Sequence, residues 1–346
     1  MKLSDKLGYG FACLTLALSQ LAFGYETNTE IVKKKLEDPN LDFKRSLNEG
    51  GNAAYKLANS RDVTLRDSGR TESMMFIENS NFRFTGDIGF YVPRLVVSLH
   101  PNDPAAPVVF DDPSSFTIHV HQGRAVLNGA ALDALFNDHV FRFPGATVKN
   151  LKLSTAPGVL TLAGQLFRSK WIPFVMRGPV TTGKGHMLFF KPNTVIVDGV
   201  DASKVLPAAN VQIDELLKVK AVGAELLGST IELDALKLFP PPRLQMKIKA
   251  VSIDDKGLAL DFDDGRAVEF AKPFAPSSSH MIVQGGDVKF LRAMPLNVSL
   301  QIDSAEAGKD LDFCLYRYRE QLTKGHLKRT ETGAIHAFFP KPNCSY

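Results

Sequence analysis

Residues 116–136 read FTIHVHQGRAVLNGAALDALF, and their apolar spacing predicts a strand followed directly by a helix. In the first half, Phe116, Ile118 and Val120 alternate with polar residues. A period of two is typical of a strand that buries one face and turns the other toward solvent. The first half therefore predicts a half-buried strand.

The second half of the stretch has helical spacing. Asn128 is placed to cap a helix, and Leu132, Leu135 and Phe136 follow at the intervals that put side chains on one helix face. The pattern predicts one amphipathic helix over residues 128–141, which ends before a Pro-Gly pair.

The alternation of apolar and polar residues that predicts strands also occurs further along the chain. It is cleanest at 244–250 and 296–302, which we interpret as antiparallel strands with one solvated face. Turn residues, such as Gly228-Ser229, separate the apolar runs. Further helical spacing is short, chiefly from Ile213 and over Asp234–Phe239. The residues therefore predict an α+β fold with a long antiparallel sheet and few helices.

The N-terminal segment is predicted to be a signal peptide, residues 1–24. Lys2 and Lys6 precede an apolar stretch, and Ala22-Phe23-Gly24 has small residues at the positions that a signal peptidase requires. The alternative is a membrane anchor, but polar residues and glycines interrupt the run well short of the ~20 residues of a spanning helix. We therefore expect a periplasmic or secreted protein. Residues 25–80 are polar and weakly patterned, and we interpret them as a leader.

Cysteine usage agrees with an oxidising compartment. Of the three cysteines, Cys13 lies within the predicted signal peptide. The remaining two, Cys314 and Cys344, are predicted to form a disulfide that fastens the C-terminal tail.

Composition excludes several classes of protein. The chain has 346 residues, of which 44% are hydrophobic and 23% charged, so it is neither disordered throughout nor a polytopic membrane protein. The formal net charge of +4 is dispersed along the chain and gives no support for nucleic-acid binding. The 24 Phe against 7 Tyr and 1 Trp suit an apolar interior or an apolar ligand, and composition does not choose between them.

Two motifs suggest ligands and are better explained otherwise. Residues 178–184 approach a phosphate-binding loop, but Gly185 stands where the loop needs Ser or Thr, so a hairpin turn is favoured. His119 and His121 share one strand face and could bind a transition metal only if a third ligand converged on them. We expect no metal and no cofactor.

Catalytic signatures are missing from the sequence. It contains no Gly-x-Ser-x-Gly, no His-Glu-x-x-His and no Cys-x-x-Cys motif. A serine hydrolase assembled from remote residues, or one that uses His119 and His121, stays open as a weaker alternative. The expectation is a protein that is not an enzyme.

The sequence from Phe116 to Asp264 resembles the tubular lipid-binding (TULIP-like) domains of uncharacterised bacterial secreted and periplasmic proteins. The segments that carry this resemblance are Gly123–Asn128, Leu132–Asn137, Leu160–Gly164, Ile172–Phe174, Val197–Val200 and Leu238–Pro242. The resemblance implies a highly curved antiparallel β-sheet wrapped around one long amphipathic helix, with extra strands at both ends. It places the domain at 81–270 and leaves 271–346 as C-terminal strands and the disulfide-fastened tail.

The resemblance also implies a function, which is non-enzymatic binding or transport of a lipid or other long apolar ligand in the bacterial cell envelope. Transient contact with a membrane surface or an envelope protein would accompany it. The expected ligand-lining residues are Ile118, Leu132, Leu135, Phe136, Leu160, Leu162, Phe174, Met176, Leu188 and Phe190. The alternative is that these side chains form an ordinary core. The protein would then be a structural or interaction module with a solid interior.

Overall fold

The computed structural model describes residues 72–203, 212–216, 219–291, 295, 297–331 and 333–345. The predicted signal peptide, 1–24, and the predicted leader up to residue 71 lie outside these residues. The first described strand begins at Ser73, within the range assigned to the leader.

The described residues form strands and a few short helices. In chain order the strands are β1 (Ser73–Thr85), β2 (Ile88–Pro101), β3 (Val108–Val109), β4 (Phe116–Leu127), β5 (Val148–Ala156), β6 (Val159–Phe167), β7 (Trp171–Gly178), β8 (Val180–Thr182), β9 (Met187–Phe190), β10 (Thr194–Val197), β11 (Val200–Asp201), β12 (Lys220–Ala221), β13 (Ala224–Leu227), β14 (Thr230–Asp234), β15 (Arg243–Gln245), β16 (Ile248–Asp254), β17 (Gly257–Asp263), β18 (His280–Gln284), β19 (Val288–Lys289), β20 (Ser299–Ser304), β21 (Asp312–Cys314), β22 (His326–Arg329) and β23 (Ile335–Phe339). The helices are α1 (Gly129–Ala134), α2 (Ile213–Leu216) and α3 (Tyr318–Lys324), with a π-helix at Leu135–Val140 and 3-10 helices at Pro113–Ser115 and Leu315–Arg317.

Eleven of the described strands form one large sheet. Its order is β16, β17, β4, β2, β1, β18, β20, β23 and β22, while β15 pairs with β4 and β21 pairs with β1. Most neighbours are antiparallel, and β15–β4, β21–β1 and β20–β23 are parallel. The long hairpin β1–β2 lies at the centre. Strands from the C-terminal 271–346 region therefore extend the same sheet as the hairpin.

Two smaller sheets of five described strands each complete the core. One has the order β11, β10, β7, β6, β5, and the other has the order β12, β13, β14, β9, β8. A parallel pair, β3 with β19, lies apart from both. One contiguous cluster of buried apolar side chains joins the large sheet, both five-stranded sheets and the α1 segment. The loop of 178–184 is confirmed as part of a hairpin, since β8 pairs antiparallel with β9.

Phenylalanine fills much of this core. Phe84, Phe116, Phe190 and Phe313 are among the largest fully buried side chains. Neighbouring rings lie within contact distance, as in the 5.6 Å between the ring centres of Phe82 and Phe313. Ring pairs at such distances add a small stabilising term to the burial of apolar area.

The predicted α+β fold, in which one curved sheet wraps around a single long amphipathic helix, is wrong. The fold is mostly β, with several sheets and only short helices. Asn128 caps α1 as expected, with its Oδ1 accepting from the Ala131 N–H at 2.9 Å. After Ala134 the hydrogen bonding becomes that of a π-helix, which ends at Val140.

Asn137 supplies the physical reason for this change. Its side-chain amide donates to the carbonyl of Asp133 at 2.8 Å, the acceptor that an α-helix would offer to the backbone N–H of Asn137. The same side chain donates to the Leu151 carbonyl and accepts from the Leu151 N–H. The spacing of apolar residues carries no information about the hydrogen bonds of a polar side chain such as Asn137. The pattern therefore predicted a longer regular helix than the chain forms.

The two cleanest strand predictions need correction as well. Residues 244–250 form two pieces, β15 parallel to β4 and then β16 antiparallel to β17. In β20 the polar face predicted to be solvated is covered, and Gln301 is fully buried. Gln301 accepts from the backbone N–H groups of Phe274 and Ala275, which lie over the sheet. A buried side-chain amide that is hydrogen-bonded to backbone groups leaves neither partner unsatisfied. The alternation of apolar and polar residues in β20 therefore does not mean that the polar face meets solvent.

The predicted disulfide is present. Cys314, at the end of β21, bonds Cys344 in the tail, with 5.9 Å between their Cα atoms. Because β21 pairs with β1, the bond ties the tail to the middle of the large sheet. Within the described ranges, no helix has the length and apolar character needed to cross a membrane.

Candidate functional site

An apolar cavity of about 40 Å³ lies where the π-helix meets both five-stranded sheets. We call it the inner cavity. Its lining is apolar and comprises Phe136, Phe141, Val148, Leu151, Leu153, Leu160, Leu162, Phe174, Met176, Phe190, Val219, Ala224, Ile231 and Leu233. The sequence analysis named six of these: Phe136, Leu160, Leu162, Phe174, Met176 and Phe190.

The other four predicted residues lie elsewhere in the core. Leu132, Leu135 and Leu188 are buried without lining the inner cavity. Ile118 lines a second cavity of about 40 Å³, whose other walls come from strands of the large sheet and from Leu244 and Met246.

One glycine shapes the wall of the inner cavity. A Cβ at Gly164 would lie 2.6 Å from Cδ2 of Leu151 and 3.3 Å from Cε1 of Phe174. Gly164 is opposite Phe174 in the β6–β7 pair. Because Gly164 has no side chain, Leu151 and Phe174 can occupy this space.

A different arrangement lies on the opposite face of the large sheet. Ser98, on β2, has its hydroxyl 2.7 Å from Nε2 of His121 and 2.7 Å from Nε2 of His100. Nδ1 of His121 lies 2.7 Å from Oδ2 of Asp264, which follows β17. The His100 and His119 rings stack with centres 4.0 Å apart. We call these five residues the histidine cluster.

The strand β4 has an irregularity at His121. In the β2–β4 pairing, Val96 is opposite Gln122 while Val97 is opposite Val120, so His121 is an extra residue at this point. A bulge of this kind re-aims a side chain. His119 and His121 are two residues apart and lie on the face away from the core, opposite Ile118 and Val120.

An ion pair borders the cluster. Arg266 donates to both carboxylate oxygens of Glu72, at 2.7 and 3.0 Å. Oε2 of Glu72 lies 3.3 Å from Nε2 of His100, and Nη1 of Arg266 lies 3.4 Å from Nε2 of His121. The pair therefore contacts both ring nitrogens that hold the Ser98 hydroxyl.

The partners determine where the hydrogens lie. A carboxylate only accepts, so Nδ1 of His121 carries the hydrogen that Asp264 receives. The Arg266 guanidinium can only donate, and its Nη1 lies 3.4 Å from Nε2 of His121, so we take this nitrogen as an acceptor to which the Ser98 O–H donates. Ser98 in turn accepts from Nε2–H of His100. We assign this direction from the bonding pattern.

Burial and charge shift the acid–base behaviour of the cluster. Burial, reinforced by the His100 and His121 charges, lowers the pKa of His119 to about 4. Burial also lowers the pKa of His100. Burial raises the pKa of Asp264, but hydrogen bonds from His121 and the Arg266 N–H outweigh it, and the net pKa falls. At neutral pH the cluster therefore holds neutral His100 and His119 beside an ionised Asp264.

Residues 265–279 cross this face of the sheet without regular secondary structure, and we call them the covering segment. Val268, Phe270 and Phe274 pack on a small cluster that includes Phe76 and Val96. The guanidinium of Arg94 lies 4.2 Å from the ring centre of Phe270.

An open groove of about 650 Å³ lies beside α1 and β5, with Asp87, Asp133, Asp138 and Asp255 on its walls. Oδ1 of Asp133 accepts from the backbone N–H of Leu153, and its other oxygen pairs with Lys152. Asp133 therefore joins α1 to β5.

In the part of the chain that the structure describes, no group of three or more His, Cys, Asp and Glu side chains is arranged to hold a metal ion. The sequence analysis named His119 and His121 as possible metal ligands or hydrolase residues, but it did not connect them with Ser98, His100 or Asp264. Ser98 and Asp264 lie far from His121 in the sequence, and only the sheet pairing joins them.

In comparisons with known proteins, no protein-family model, curated protein or solved structure matches the chain. The resemblance to the tubular lipid-binding domains therefore stays a prediction.

Proposed function

We propose that the protein binds a lipid or other long apolar molecule in the inner cavity by burying it, with no chemistry at that site. The observation that supports this is the cavity itself, whose wall holds six of the predicted lining residues. An apolar ligand needs such a wall and no polar anchor.

The size of the cavity defines what binding must involve. At about 40 Å³ the inner cavity is far smaller than the ~150 Å³ of an engineered cavity that holds benzene. The described state is therefore a closed form, and an acyl chain enters only if the π-helix and the two sheets separate. Each buried methylene contributes ~0.8 kcal/mol, so a chain of about a dozen carbons offsets a substantial opening cost.

The proposed location is the periplasm or the exterior of a bacterial cell. The Cys314–Cys344 disulfide supports an oxidising compartment. There, transient contact with a membrane surface or an envelope protein would supply or receive the ligand.

A packed structural module without a ligand is the second candidate, and the small volume of both cavities favours it. The two candidates differ in how they respond to a bulky side chain in the cavity wall. In a solid core, overpacking lowers the free energy of unfolding by ~1–3 kcal/mol and affects no ligand.

The test is binding of a pyrene-labelled fatty acid by Leu162→Trp. Leu162 lines the inner cavity and is only partly buried, so the indole should occupy the ligand space. We expect the dissociation constant to rise at least ~10-fold with little loss of stability.

Leu188→Trp is the matched control, because Leu188 is buried in the same region but does not line the cavity. It should lower stability while folded protein keeps its affinity. Absence of fatty-acid binding by the wild-type protein, or equal affinity in the wild type and Leu162→Trp, would contradict the proposal.

A further inference from the structure

The histidine cluster contains a hydroxyl, an imidazole and a carboxylate bonded in series. The Ser98 O–H donates to Nε2 of His121, and Nδ1–H of His121 donates to Asp264, each over 2.7 Å. This is the order and direction that an alcohol nucleophile, its general base and an orienting carboxylate require.

We propose that Ser98, His121 and Asp264 hydrolyse carboxylic esters with an apolar acyl group. This site is separate from both apolar cavities. Val97 lines the second cavity, and the next residue on a strand, Ser98, faces the other side of the sheet.

The reaction balances with water as the only other reactant. Oγ of Ser98 attacks the ester carbonyl carbon while its proton moves to Nε2 of His121. The carbon–oxygen bond to the alcohol breaks, and that oxygen takes the proton from His121, which leaves an acyl-Ser98. Water then attacks the acyl carbon and gives a proton to His121. The acyl–Oγ bond breaks, Ser98 regains the proton, and the acid is released.

Arg266 is placed to stabilise the negative oxygen that forms during each attack. Its Nη1 lies 3.4 Å from Nε2 of His121, the atom next to the Ser98 hydroxyl. A fixed cation beside a developing oxyanion lowers the barrier more in a site shielded from water than in solution.

The apolar acyl group is inferred from the neighbours of Ser98. Met74 is opposite Ser98 in the β1–β2 pair. Met74 also packs with Val268 of the covering segment on the small apolar cluster. A short alkyl chain on the ester would lie against these side chains.

Entry to the site depends on the ion pair at its border. Ser98 is 0% exposed, while the Glu72 and Arg266 side chains are 27% and 42% exposed. Because this pair contacts both Nε2 atoms around the hydroxyl, its opening is the step that admits an ester. Glu72→Gln weakens the pair without removing a reacting group.

The experiment treats the purified wild-type protein and Glu72→Gln with a fluorophosphonate probe and locates the modified residue by mass spectrometry. An activated serine displaces fluoride from phosphorus, whereas an ordinary buried serine does not. We expect labelling at Ser98, and faster labelling in Glu72→Gln. Hydrolysis of p-nitrophenyl butyrate is measured on the same samples.

Asp264→Asn tests the role of the imidazole. The Asn amide can donate to Nδ1 of His121, which places the hydrogen on Nε2 and removes the acceptor for Ser98. Hydrolysis should fall by about ten-thousandfold, and labelling should fall in parallel, as expected when a triad holds the wrong tautomer. Ser98→Ala should abolish both signals.

Ser73→Ala is the control for the loss of a buried hydroxyl, because Ser73 is buried on β1 with no hydrogen-bond partner for its Oγ among the described residues. It should keep both signals. If folded wild-type protein and folded Glu72→Gln both fail to label at Ser98, the network is structural and the proposal is wrong. Hydrolysis that survives in Ser98→Ala would overturn it equally.

Discussion

Asn128 and Asn137 determine the two ends of the regular helix beside the inner cavity. Asn128 accepts from the Ala131 N–H at the start, and Asn137 takes the Asp133 carbonyl near the point where α-helical bonding stops. Both act on backbone groups that a helix end leaves without partners. The cap could be recognised in the sequence because its position before an apolar run is typical. The bond of Asn137 to Leu151 could not, since it depends on where β5 lies.

Asn128→Ala should lower the free energy of unfolding by about 1 kcal/mol. The Ala131 N–H loses its acceptor, and this is the usual effect of removing a helix cap. Urea denaturation measures the change, and Asn128→Asp should retain most of the wild-type stability. Equal losses in Ala and Asp variants would contradict the role of the cap.

Acid should destabilise the protein because buried histidines must gain a proton. The pKa of His119 is about 4 in the fold against an ordinary value near 6.5, so the unfolded chain binds more protons between these values. The free energy of unfolding should therefore fall as pH falls from 6.5 to 4, and His100 should add to the effect because its pKa is also lowered.

The measurement is urea denaturation at several pH values between 7.5 and 4, with His119→Gln as the comparison. The variant has no group to titrate at this position, so its stability should depend less on pH in this window. A wild-type stability that is constant from pH 7 to 4 would contradict the burial of neutral histidines.

Two segments without regular secondary structure are attached to the large sheet. The covering segment shields one face, and Gln301 holds its backbone at Phe274 and Ala275. The tail is joined to β21 by Cys314–Cys344. Sequence alternation predicts strands well, but it does not show whether a polar face meets water or another segment, as Gln301 illustrates.

Removal of the disulfide by Cys314→Ser with Cys344→Ser should lower the free energy of unfolding by about 3.5 kcal/mol. The bond closes a loop with a sequence separation of 30, and this loss follows from the chain entropy that the unfolded state regains. Guanidinium denaturation measures it. Reduction of the wild-type protein should give a similar loss, and a change below about 1 kcal/mol would show that the tail is held by other contacts.

For the whole molecule, the sequence predicted local features better than the overall architecture. Predominant antiparallel strands, the α1 cap and the disulfide were predicted correctly, because each depends on spacing or chemistry close in the chain or on a single pair of cysteines. The number of sheets and the short length of the helix depend on long-range pairing, such as that between β1 and β18. The Ser98–His121–Asp264 series has the same origin and could not be found from motifs.

Many of the phenylalanines that the structure describes lie in a continuous core that leaves two small apolar cavities. Four phenylalanines on strands have almost fully buried side chains: Phe84, Phe116, Phe190 and Phe313. Whether the inner cavity opens around a ligand therefore separates a lipid-binding protein from a packed module.

Native mass spectrometry of the mature protein, purified under mild conditions from its own host, tests this most directly. The account predicts a bound species whose added mass matches a lipid or fatty acid, and its loss in Leu162→Trp but not in Leu188→Trp. Repeated recovery of empty protein, together with no uptake of lipid from labelled vesicles, would contradict it.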